Sequence, residues 1–471
     1  MSDQVTALGF EELKATFEAT ELFEDKTWQL SPYALELDPK AVEEMKAIGL
    51  AGLEFHRALE QLYLRSVSGR NLLRNRKLEA PWVAELYDRG KPQELIEFNR
   101  SEILRGKMPL VLRPDLLVTD EGFALTEFDS VPGGIGLTGF LNRIYGKGDD
   151  QVIGSNDEML DTFARTVAPA DSTGRHPLVA IVVSDDAATY RPEMEWLAEE
   201  LQKKGKRILC LHPDDLIPLG GGIFYDSDGT PEKIDVIYRF FELYELEGLA
   251  TANDLMEAVK NEEIEITPPF RSIFEEKLSM ALFHHHLLED YWRESLSRRA
   301  FRVLQKLIPR SWILDPQPLP PGAVHVGPKV GGKLMHDWRE LFDASQRERD
   351  LIIKISGFDS TAEGARSVLY GRDSSREEWQ AGIEAAIEHS KTNPYVVQEY
   401  RKPVRSKHIV YDEKGEAKER FGRLRLCPYY FFEGDQAELT GVLATFCPAD
   451  KKIIHGMTDA AMLPCRIGSG E

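Results

Sequence analysis

The apolar positions of the first 108 residues recur at roughly helical spacing. Residues 41–65 carry most of them, and residues 95–104 continue the pattern. This periodicity predicts helices, although Gly49 and Gly52 weaken the prediction of one unbroken helix. We therefore expect a helical N-terminal region over residues 1–108.

The pattern changes at two short apolar segments, residues 116–118 and 123–125, which a polar turn at residues 119–122 separates. Apolar runs of this length joined by a turn containing glycine predict a β-hairpin. Residues 135–146 then read as either a helix or a loop.

Residues 178–183, LVAIVV, form an unbroken apolar run of the kind that is buried on both faces of a parallel sheet. A helical segment at 193–203 and a second strand at 207–211 follow, so the pattern predicts a βαβ unit. The first loop, residues 184–188, lacks the G-x-G-x-x-G sequence, which leaves a dinucleotide site unsupported.

Beyond this unit the pattern alternates between short strands and helices. The predicted elements are a hairpin turn within 223–229, strands at 235–239, 351–355, 395–400, 422–432 and 439–446, and helices at 272–292 and 377–389. A proline-rich segment near residue 320 marks a boundary. We predict four regions, 1–108, 109–172, 173–265 and 266–471.

Composition narrows the function classes. The 471 residues are enough for several domains. A net charge of -21 argues against nucleic acid and anionic membranes as partners. No apolar run is long enough to span a membrane, and the N-terminus does not resemble a secretion signal, so we expect a cytoplasmic protein. Four widely spaced cysteines indicate reduced thiols rather than a zinc site or disulfides.

Three carboxylates flank the predicted hairpin. Asp115 precedes the first strand, while Glu127 and Asp129 leave the second and project from one face, because side chains in a strand alternate. Converging carboxylates repel unless a cation intervenes, and Mg2+ prefers such oxygen ligands. Arg113 and the small residues 130–134 suit phosphate chemistry beside a metal. A solvated acidic hairpin end is the alternative.

A second chemical signal is Lys354, which stands in the apolar strand LIIKI. A buried lysine is costly unless an anion accepts its charge. The following small-residue loop, 356–367, is able to lie against phosphates with its backbone N–H groups, although it is not a Walker A loop.

Arg239 ends another predicted strand and Glu242 follows shortly after it, at the kind of strand end where α/β sheets bind ligands. A substrate role and an ordinary ion pair are equally consistent with this position. Tyr145 is a further residue that is either substrate-facing or structural. Three consecutive histidines, residues 284–286, point in different directions on a helix and cannot share a metal.

The segments Arg113-Pro114-Asp115 and Glu127-Phe128-Asp129, followed by the lysine strand and by Gln398-Glu399-Tyr400, resemble the circularly permuted ATP-grasp proteins, including the glutathionylspermidine synthetase family. In that family an R-x-D and an E-x-N motif supply the Mg2+ ligands. This chain departs from the pattern at Asp129, where asparagine is more usual. The resemblance implies an ATP-grasp fold, a mixed α+β and α/β architecture with a βαβ subdomain.

The resemblance also implies roles for single residues. Asp115, Glu127 and Asp129 would bind Mg2+, and Arg113 would contact the transferred phosphoryl group. The residues implied for ATP are Lys354, Gly357, Gly364, Ser367, Gln398, Glu399, Tyr400 and Lys329. The residues considered for the substrate are Ser130, Gly133, Gly134, Arg239 and Glu242.

We therefore expect an ATP- and Mg2+-dependent ligase that joins a carboxylate to an amine or a thiol through an acyl-phosphate. Its partners would be small-molecule substrates, and its oligomeric state stays open. The alternative is a nucleotide-binding scaffold that shares the fold without ligase activity.

Overall fold

The computed structural model describes residues 6–20, 22, 26–317, 319–320, 323–362, 367–449, 454 and 459–470. The helices are α1 (Phe10–Glu18), α2 (Pro39–Val67), α3 (Pro81–Asp88), α4 (Gln93–Asn99), α5 (Ile135–Tyr145), α6 (Glu158–Val167), α7 (Arg191–Lys203), α8 (Ala252–Lys260), α9 (Leu278–Phe283), α10 (Glu289–Ser295), α11 (Arg298–Leu307) and α12 (Arg376–His389). Among the described residues, no helix combines the length and the apolar character that crossing a membrane requires.

The first ten strands are β1 (Leu35–Leu37), β2 (Val111–Thr119), β3 (Gly122–Asp129), β4 (Val179–Val183), β5 (Ile208–Leu211), β6 (Ile217–Leu219), β7 (Gly222–Ser227), β8 (Thr230–Lys233), β9 (Val236–Phe240) and β10 (Glu265–Thr267). The later strands are β11 (Ser311–Leu314), β12 (Lys329–Val330), β13 (Lys333–Leu334), β14 (Leu351–Ile355), β15 (Leu369–Tyr370), β16 (Tyr395–Glu399), β17 (Ser406–Tyr411), β18 (Ala417–Glu433), β19 (Gln436–Pro448) and β20 (Ala461–Ile467).

The chain divides into two compact units. Unit 1 comprises Met1–Leu53, Lys107–Pro269 and Pro403–Glu471, and unit 2 comprises Glu54–Gly106 and Phe270–Lys402. Every sheet lies within one unit. The four regions predicted from the sequence stay a prediction.

Unit 1 contains a seven-stranded sheet in the order β1-β20-β19-β18-β2-β3, with β17 paired to β18. Strands β2 and β3 form an antiparallel hairpin, as the apolar segments and their polar turn predict. The long strand β18 pairs with β2 on its other side. The hairpin is therefore held against residues that are about 300 positions away in the sequence.

A second sheet of unit 1 has the order β10-β9-β4-β5, and its strands are all parallel. The predicted βαβ unit is confirmed, with α7 connecting β4 to β5. Every residue of β4 is buried, which explains its unbroken apolar run.

Helix α2 is continuous through Gly49 and Gly52, the two glycines that weaken the prediction of one unbroken helix. A Cβ atom at position 49 would lie 2.5 Å from the Tyr430 ring, and one at position 52 would lie 3.1 Å from the Leu112 side chain. The two glycines therefore allow close packing of the helix rather than breaking it, because tertiary contacts outweigh the local cost of glycine.

Unit 2 is built around the antiparallel sheet β11-β16-β14-β15. One face of this sheet contributes Leu351, Ile353 and Val397 to a core that also holds Trp338 and Trp379. The Trp379 indole N–H donates to the Leu341 carbonyl at 2.8 Å. This core fixes the sheet that carries Lys354.

The predicted long helix over 272–292 is wrong. The structure has a short 3-10 turn at Ser272–Phe274, then α9, a second 3-10 turn and α10. The backbone N–H of Lys277 donates to the Ser356 carbonyl at 2.8 Å, and that of Leu278 donates to Ser356 Oγ at 2.9 Å. These amides bond to a distant segment instead of the preceding helical turn, which periodicity alone does not reveal.

Candidate active site

The hairpin of unit 1 aligns the residues that the sequence singled out. Arg113 pairs with Asp129 across the strands, and Asp115 pairs with Glu127. Register partners in a sheet share a face, so these four side chains stand on one side of the hairpin. The pairing shifts by one residue between Asp115 and Leu116. This β-bulge is where the alignment of the four side chains ends.

Arg113 is the centre of this group. Its Nε lies 3.2 Å from Asp115 Oδ1, and its terminal guanidinium nitrogens lie 2.7 Å from Asp129 Oδ2 and 2.9 Å from the Gly133 carbonyl oxygen. Three acceptors thus fix one planar guanidinium, whose side chain is 14% exposed. The arginine is held in one orientation while part of it stays accessible.

Strand β18 adds two residues that the sequence analysis missed. Arg425 places a guanidinium nitrogen 3.0 Å from Asp115 Oδ2, and the Cys427 thiol donates to Asp115 Oδ1 at 3.2 Å. The available signal was the sequence Arg423-Leu424-Arg425-Leu426, in which charged residues alternate with buried leucines. The spacing of residues along the sequence does not predict that strand β18 pairs with β2.

Burial and charge set opposite pKa shifts in this cluster. Burial alone would raise the pKa of Asp115, but Arg425 and Arg113 outweigh it and lower that pKa. Burial raises the pKa of Asp129 to about 7, with Arg113 opposing the rise and Glu127 adding to it. Burial also raises the pKa of the Cys427 thiol to about 12. Asp115 is therefore the firmly ionised member.

Two of the three carboxylates predicted to bind Mg2+ are engaged by other groups in this structure. Both oxygens of Asp115 already accept contacts from Arg113, Arg425 and Cys427, and both oxygens of Asp129 contact Arg113 or the Val131 N–H. Across the described part of the chain, no group of three His, Cys, Asp or Glu side chains is placed to hold a metal ion. Arginine side chains thus contact Asp115 and Asp129, and the Mg2+ role of Asp115, Glu127 and Asp129 stays a prediction.

The glycine run after the hairpin is explained by close contacts. Gly134 has a φ of 87° and precedes α5, and its N–H donates to Glu193 at 2.6 Å. The Leu137 N–H donates to the other oxygen of Glu193 at 2.9 Å, so this carboxylate occupies the N-terminus of α5. A Cβ at Gly133 would lie 2.5 Å from the Tyr190 ring.

Ser130 stands out within this run. It is 2% exposed, and its hydroxyl has no hydrogen-bond partner among the described residues. A buried hydroxyl without a partner costs free energy that a bound ligand would recover. A substrate role for Ser130 stays a prediction.

Arg239 is fully buried, and its guanidinium donates to the backbone carbonyls of Phe241, Pro268 and Pro269. The backbone N–H of Glu242 donates to Glu245 at the start of a 3-10 turn. These contacts stabilise the segment after β9, and a substrate role for the two residues stays a prediction. The Tyr145 hydroxyl donates to the Ser31 carbonyl at 2.8 Å, which is a structural contact.

In unit 2, Lys354 is 5% exposed and its ammonium donates to Gln398 Oε1 at 3.1 Å. The Gln398 amide nitrogen donates in turn to Ser311 Oγ at 2.9 Å. These three residues lie on adjacent strands, on the sheet face opposite the Trp379 core. The structure thus brings together Lys354 and Gln398, which are separated by 44 positions.

The loop after β14 approaches a buried ion pair. Ser356 Oγ donates to the Glu276 carboxylate, which also pairs with Lys91. A Cβ at Gly357 would lie 2.9 Å from the Glu275 carbonyl oxygen, so glycine permits this approach. Lys277 Nζ donates to the Ala362 carbonyl at 3.2 Å.

The predicted loop residue Gly364 lies outside the described residues, whereas Ser367 lies within them. The Ser367 N–H donates to the Thr361 carbonyl at 3.1 Å. Within the described residues its hydroxyl has no hydrogen-bond partner. Any contact of this serine with phosphate stays a prediction.

A cavity of about 310 Å³ in unit 2 is lined by Lys329, Glu399 and Tyr400, together with Trp312 and Leu351. Leu351 and Trp312 belong to the sheet face that carries the Trp379 core. Because side chains alternate along a strand, Glu399 shares this face, and Gln398 points to the other. The residues implied for ATP are therefore split between two faces of one sheet.

No protein-family model and no curated protein matches the chain. A solved structure described as a glutathione synthetase like-effector from Globodera pallida, in apo form, is 12% identical at a TM-score of 0.54 and aligns over 99% of each chain.

Two other solved structures are similar at lower TM-scores. One is a putative gamma-glutamylcysteine synthetase from Methylobacillus flagellatus, with a TM-score of 0.41, 11% identity and coverage of 79% of this chain and 84% of its own. The other is a D-alanyl-alanine synthetase A from Vibrio cholerae, with a TM-score of 0.23, 10% identity and coverage of 61% of this chain and 88% of its own. The likeness at 0.54 shows the fold alone: this chain has the mixed α+β fold of the glutathione synthetase-like structure.

Proposed function

We propose that the protein is an ATP-dependent ligase that joins a carboxylate to an amine or a thiol. The observation that carries the proposal is the Lys354–Gln398 hydrogen bond of 3.1 Å. It lies on the face of the unit 2 sheet opposite the Trp379 core. The resemblance to permuted ATP-grasp proteins assigns both residues to ATP. Their contact supports that assignment, because residues with one ligand must lie together.

On the nucleotide side, Lys354 would bind phosphate oxygens and the segment from Ser356 to Ala362 would lie over them. The ammonium of Lys354 is buried on a strand. The loop is held by hydrogen bonds with the side chains of Glu276, Lys277 and Asn393. Positioned cations and backbone N–H groups are what phosphoryl transfer requires of a protein.

In the proposed reaction, a carboxylate oxygen of the substrate attacks the γ-phosphorus of ATP and ADP leaves. The amine or thiol then attacks the carbonyl carbon of the acyl-phosphate, phosphate leaves, and a proton is lost from the nucleophile. Arg113 would bind the transferred phosphoryl group, since three acceptors hold its guanidinium in place. Ser130, with its unpartnered hydroxyl, would hydrogen-bond the substrate.

Mg2+ belongs to this proposal as the ion that accompanies ATP. Asp115 and Asp129 are engaged by Arg113 and Arg425, so we do not expect these two carboxylates to bind free Mg2+ in this arrangement. Asp115, Glu127 and Asp129 remain the residues that the resemblance assigns to the ion.

One observation favours a second function, nucleotide binding without ligation. Two arginines neutralise Asp115, and no described group of side chains is arranged for a metal. A scaffold of this kind would bind ATP and release no ADP with any substrate.

The two functions are separated by incubating the purified protein with ATP, Mg2+ and pools of carboxylate and amine metabolites. A ligase releases ADP and phosphate only when both pools are present. ATP binding without ADP release would favour the scaffold, and calorimetry that detects no ATP binding would refute both.

A further inference from the structure

Unit 2 holds a second cavity, of about 640 Å³, between α2, the loop that follows it and α10. None of its lining residues lines the cavity around Lys329. Four arginines reach it: Arg57 and Arg65 from α2, and Arg70 and Arg74 from the loop. The volume is in the range of sites that hold small organic molecules.

The cavity has an apolar floor and a cationic rim. Ala58, Leu72, Leu73 and Tyr291 are at most 5% exposed and form the floor. Arg65 is half-buried, whereas Arg70 and Arg74 are exposed. The cavity therefore offers apolar contact at its floor and positive charge at its edge.

The residues that line the cavity carry an excess of positive charge. Two glutamates also line the cavity, Glu54 and Glu294, so four positive side chains face two negative ones. Glu54 accepts hydrogen bonds from the N–H and hydroxyl of Ser297, and Glu294 accepts from the Arg74 backbone N–H at 3.0 Å. Among the described residues, Arg65, Arg70 and Arg74 have no carboxylate partner. An excess of positive charge at one cavity contrasts with the net charge of -21 for the chain.

The loop presents its arginines from a fixed backbone. The Asn71 amide donates to the carbonyls of Leu73 and Arg76, at 2.6 and 3.0 Å, and its oxygen accepts from the Leu78 N–H at 2.6 Å. Arg65 donates to the Leu72 carbonyl at 3.2 Å, which aims its guanidinium at the cavity. A rigid site loses less entropy when a ligand binds.

We propose that this arginine cavity, lined by Arg57, Arg65, Arg70 and Arg74, binds a small molecule that carries at least two carboxylate or phosphate groups. Guanidinium groups bind both kinds of anion through paired N–H donors. The apolar floor of the cavity would contact the carbon skeleton of an organic ligand. The site is separate from the residues assigned to ATP.

The test is calorimetric titration of the full chain with inorganic pyrophosphate and, separately, with citrate, which distinguishes phosphate from carboxylate recognition. The double variant Arg65→Gln, Arg74→Gln is expected to weaken binding by about tenfold or more, since two charge-assisted contacts are lost. Wild-type binding should also weaken as salt is added.

Two control variants make the test specific. Arg76→Gln removes the same charge from the same loop, but Arg76 pairs with Asp290 and does not line the cavity, so binding should be unchanged. Because Lys354 is itself assigned to phosphate, pyrophosphate is also titrated in the Lys354→Met background, where adding the double substitution should still weaken binding; this separates the arginine cavity from the proposed nucleotide site. The proposal is overturned if neither anion binds, or if the folded double variant binds both as the wild type does.

Discussion

The guanidinium of Arg113 lies 2.7 Å from the carboxylate of Asp129, its register partner across the β2–β3 hairpin. This contact gives a physical meaning to the one position where the chain departs from the E-x-N pattern. An asparagine would offer Arg113 a neutral acceptor at every pH, whereas Asp129, whose pKa burial raises to about 7, offers a charged one when it is ionised. The departure therefore strengthens the contact with Arg113 above pH 7.

Arg113→Lys is expected to lower the rate of ADP release by about tenfold or more, while ATP binding changes little. A lysine ammonium cannot reach Asp115, Asp129 and the Gly133 carbonyl in the planar geometry of a guanidinium, so it would be less well positioned. Steady-state kinetics and calorimetry together measure the two effects. An unchanged rate would remove Arg113 from the proposed reaction.

Arg425→Gln is expected to tighten the binding of free Mg2+ by about tenfold, because Asp115 then keeps one cationic neighbour instead of two. The experiment is a calorimetric titration with MgCl2 in the absence of nucleotide. Arg423→Gln on the same strand is the matched control, since it is the Arg425 guanidinium that lies 3.0 Å from Asp115 Oδ2. If the wild type already binds Mg2+ tightly without nucleotide, our account of this cluster is contradicted.

Lys354→Met is expected to weaken ATP binding by about tenfold or more, because a charge-assisted phosphate contact is lost. Lys329→Met should weaken it less, since Lys329 lines the cavity on the other face of the sheet. Calorimetry with an ATP analogue measures both variants. Equal losses would show that one nucleotide contacts both lysines, against the separation seen here.

Acid stability should depend on His408, whose Nε2 lies 2.9 Å from Ser31 Oγ. Burial lowers its pKa from 6.5 to about 4, so the folded protein keeps this ring neutral where the unfolded chain takes up a proton. The stability contributed by His408 is therefore present above pH 6.5 and is lost as the pH falls towards 4.

The measurement is the melting temperature of the wild type and of His408→Gln at several pH values. The advantage of the wild type is expected to shrink between neutral pH and about pH 5, because only the wild type carries this titrating ring. A difference that stays constant over that range would show that His408 does not titrate as described.

Local features of the fold were predictable. The hairpin and the βαβ unit depend on apolar runs and on turn residues close in sequence, and both are present. The 272–292 helix was mispredicted because the N–H groups of Lys277 and Leu278 bond to Ser356, which no periodicity encodes.

The candidate site was predictable only in part. Arg113, Asp115 and Asp129 lie within one hairpin, so their proximity follows from local pairing. Arg425 and Cys427 reach Asp115 from a strand more than 300 residues away, and the sheet order that brings them there is a tertiary property. The contact of Arg425 with Asp115, which helps to set the charge of the site, could therefore not be predicted from sequence spacing.

The ligase proposal is tested most directly by following an oxygen atom. The protein is incubated with ATP, an amine pool and a carboxylate pool labelled with ¹⁸O, and the released phosphate is analysed by mass spectrometry. An acyl-phosphate route transfers one carboxylate oxygen to phosphate, so labelled phosphate should appear together with ADP. ADP release accompanied only by unlabelled phosphate would show hydrolysis of ATP and contradict the proposed reaction.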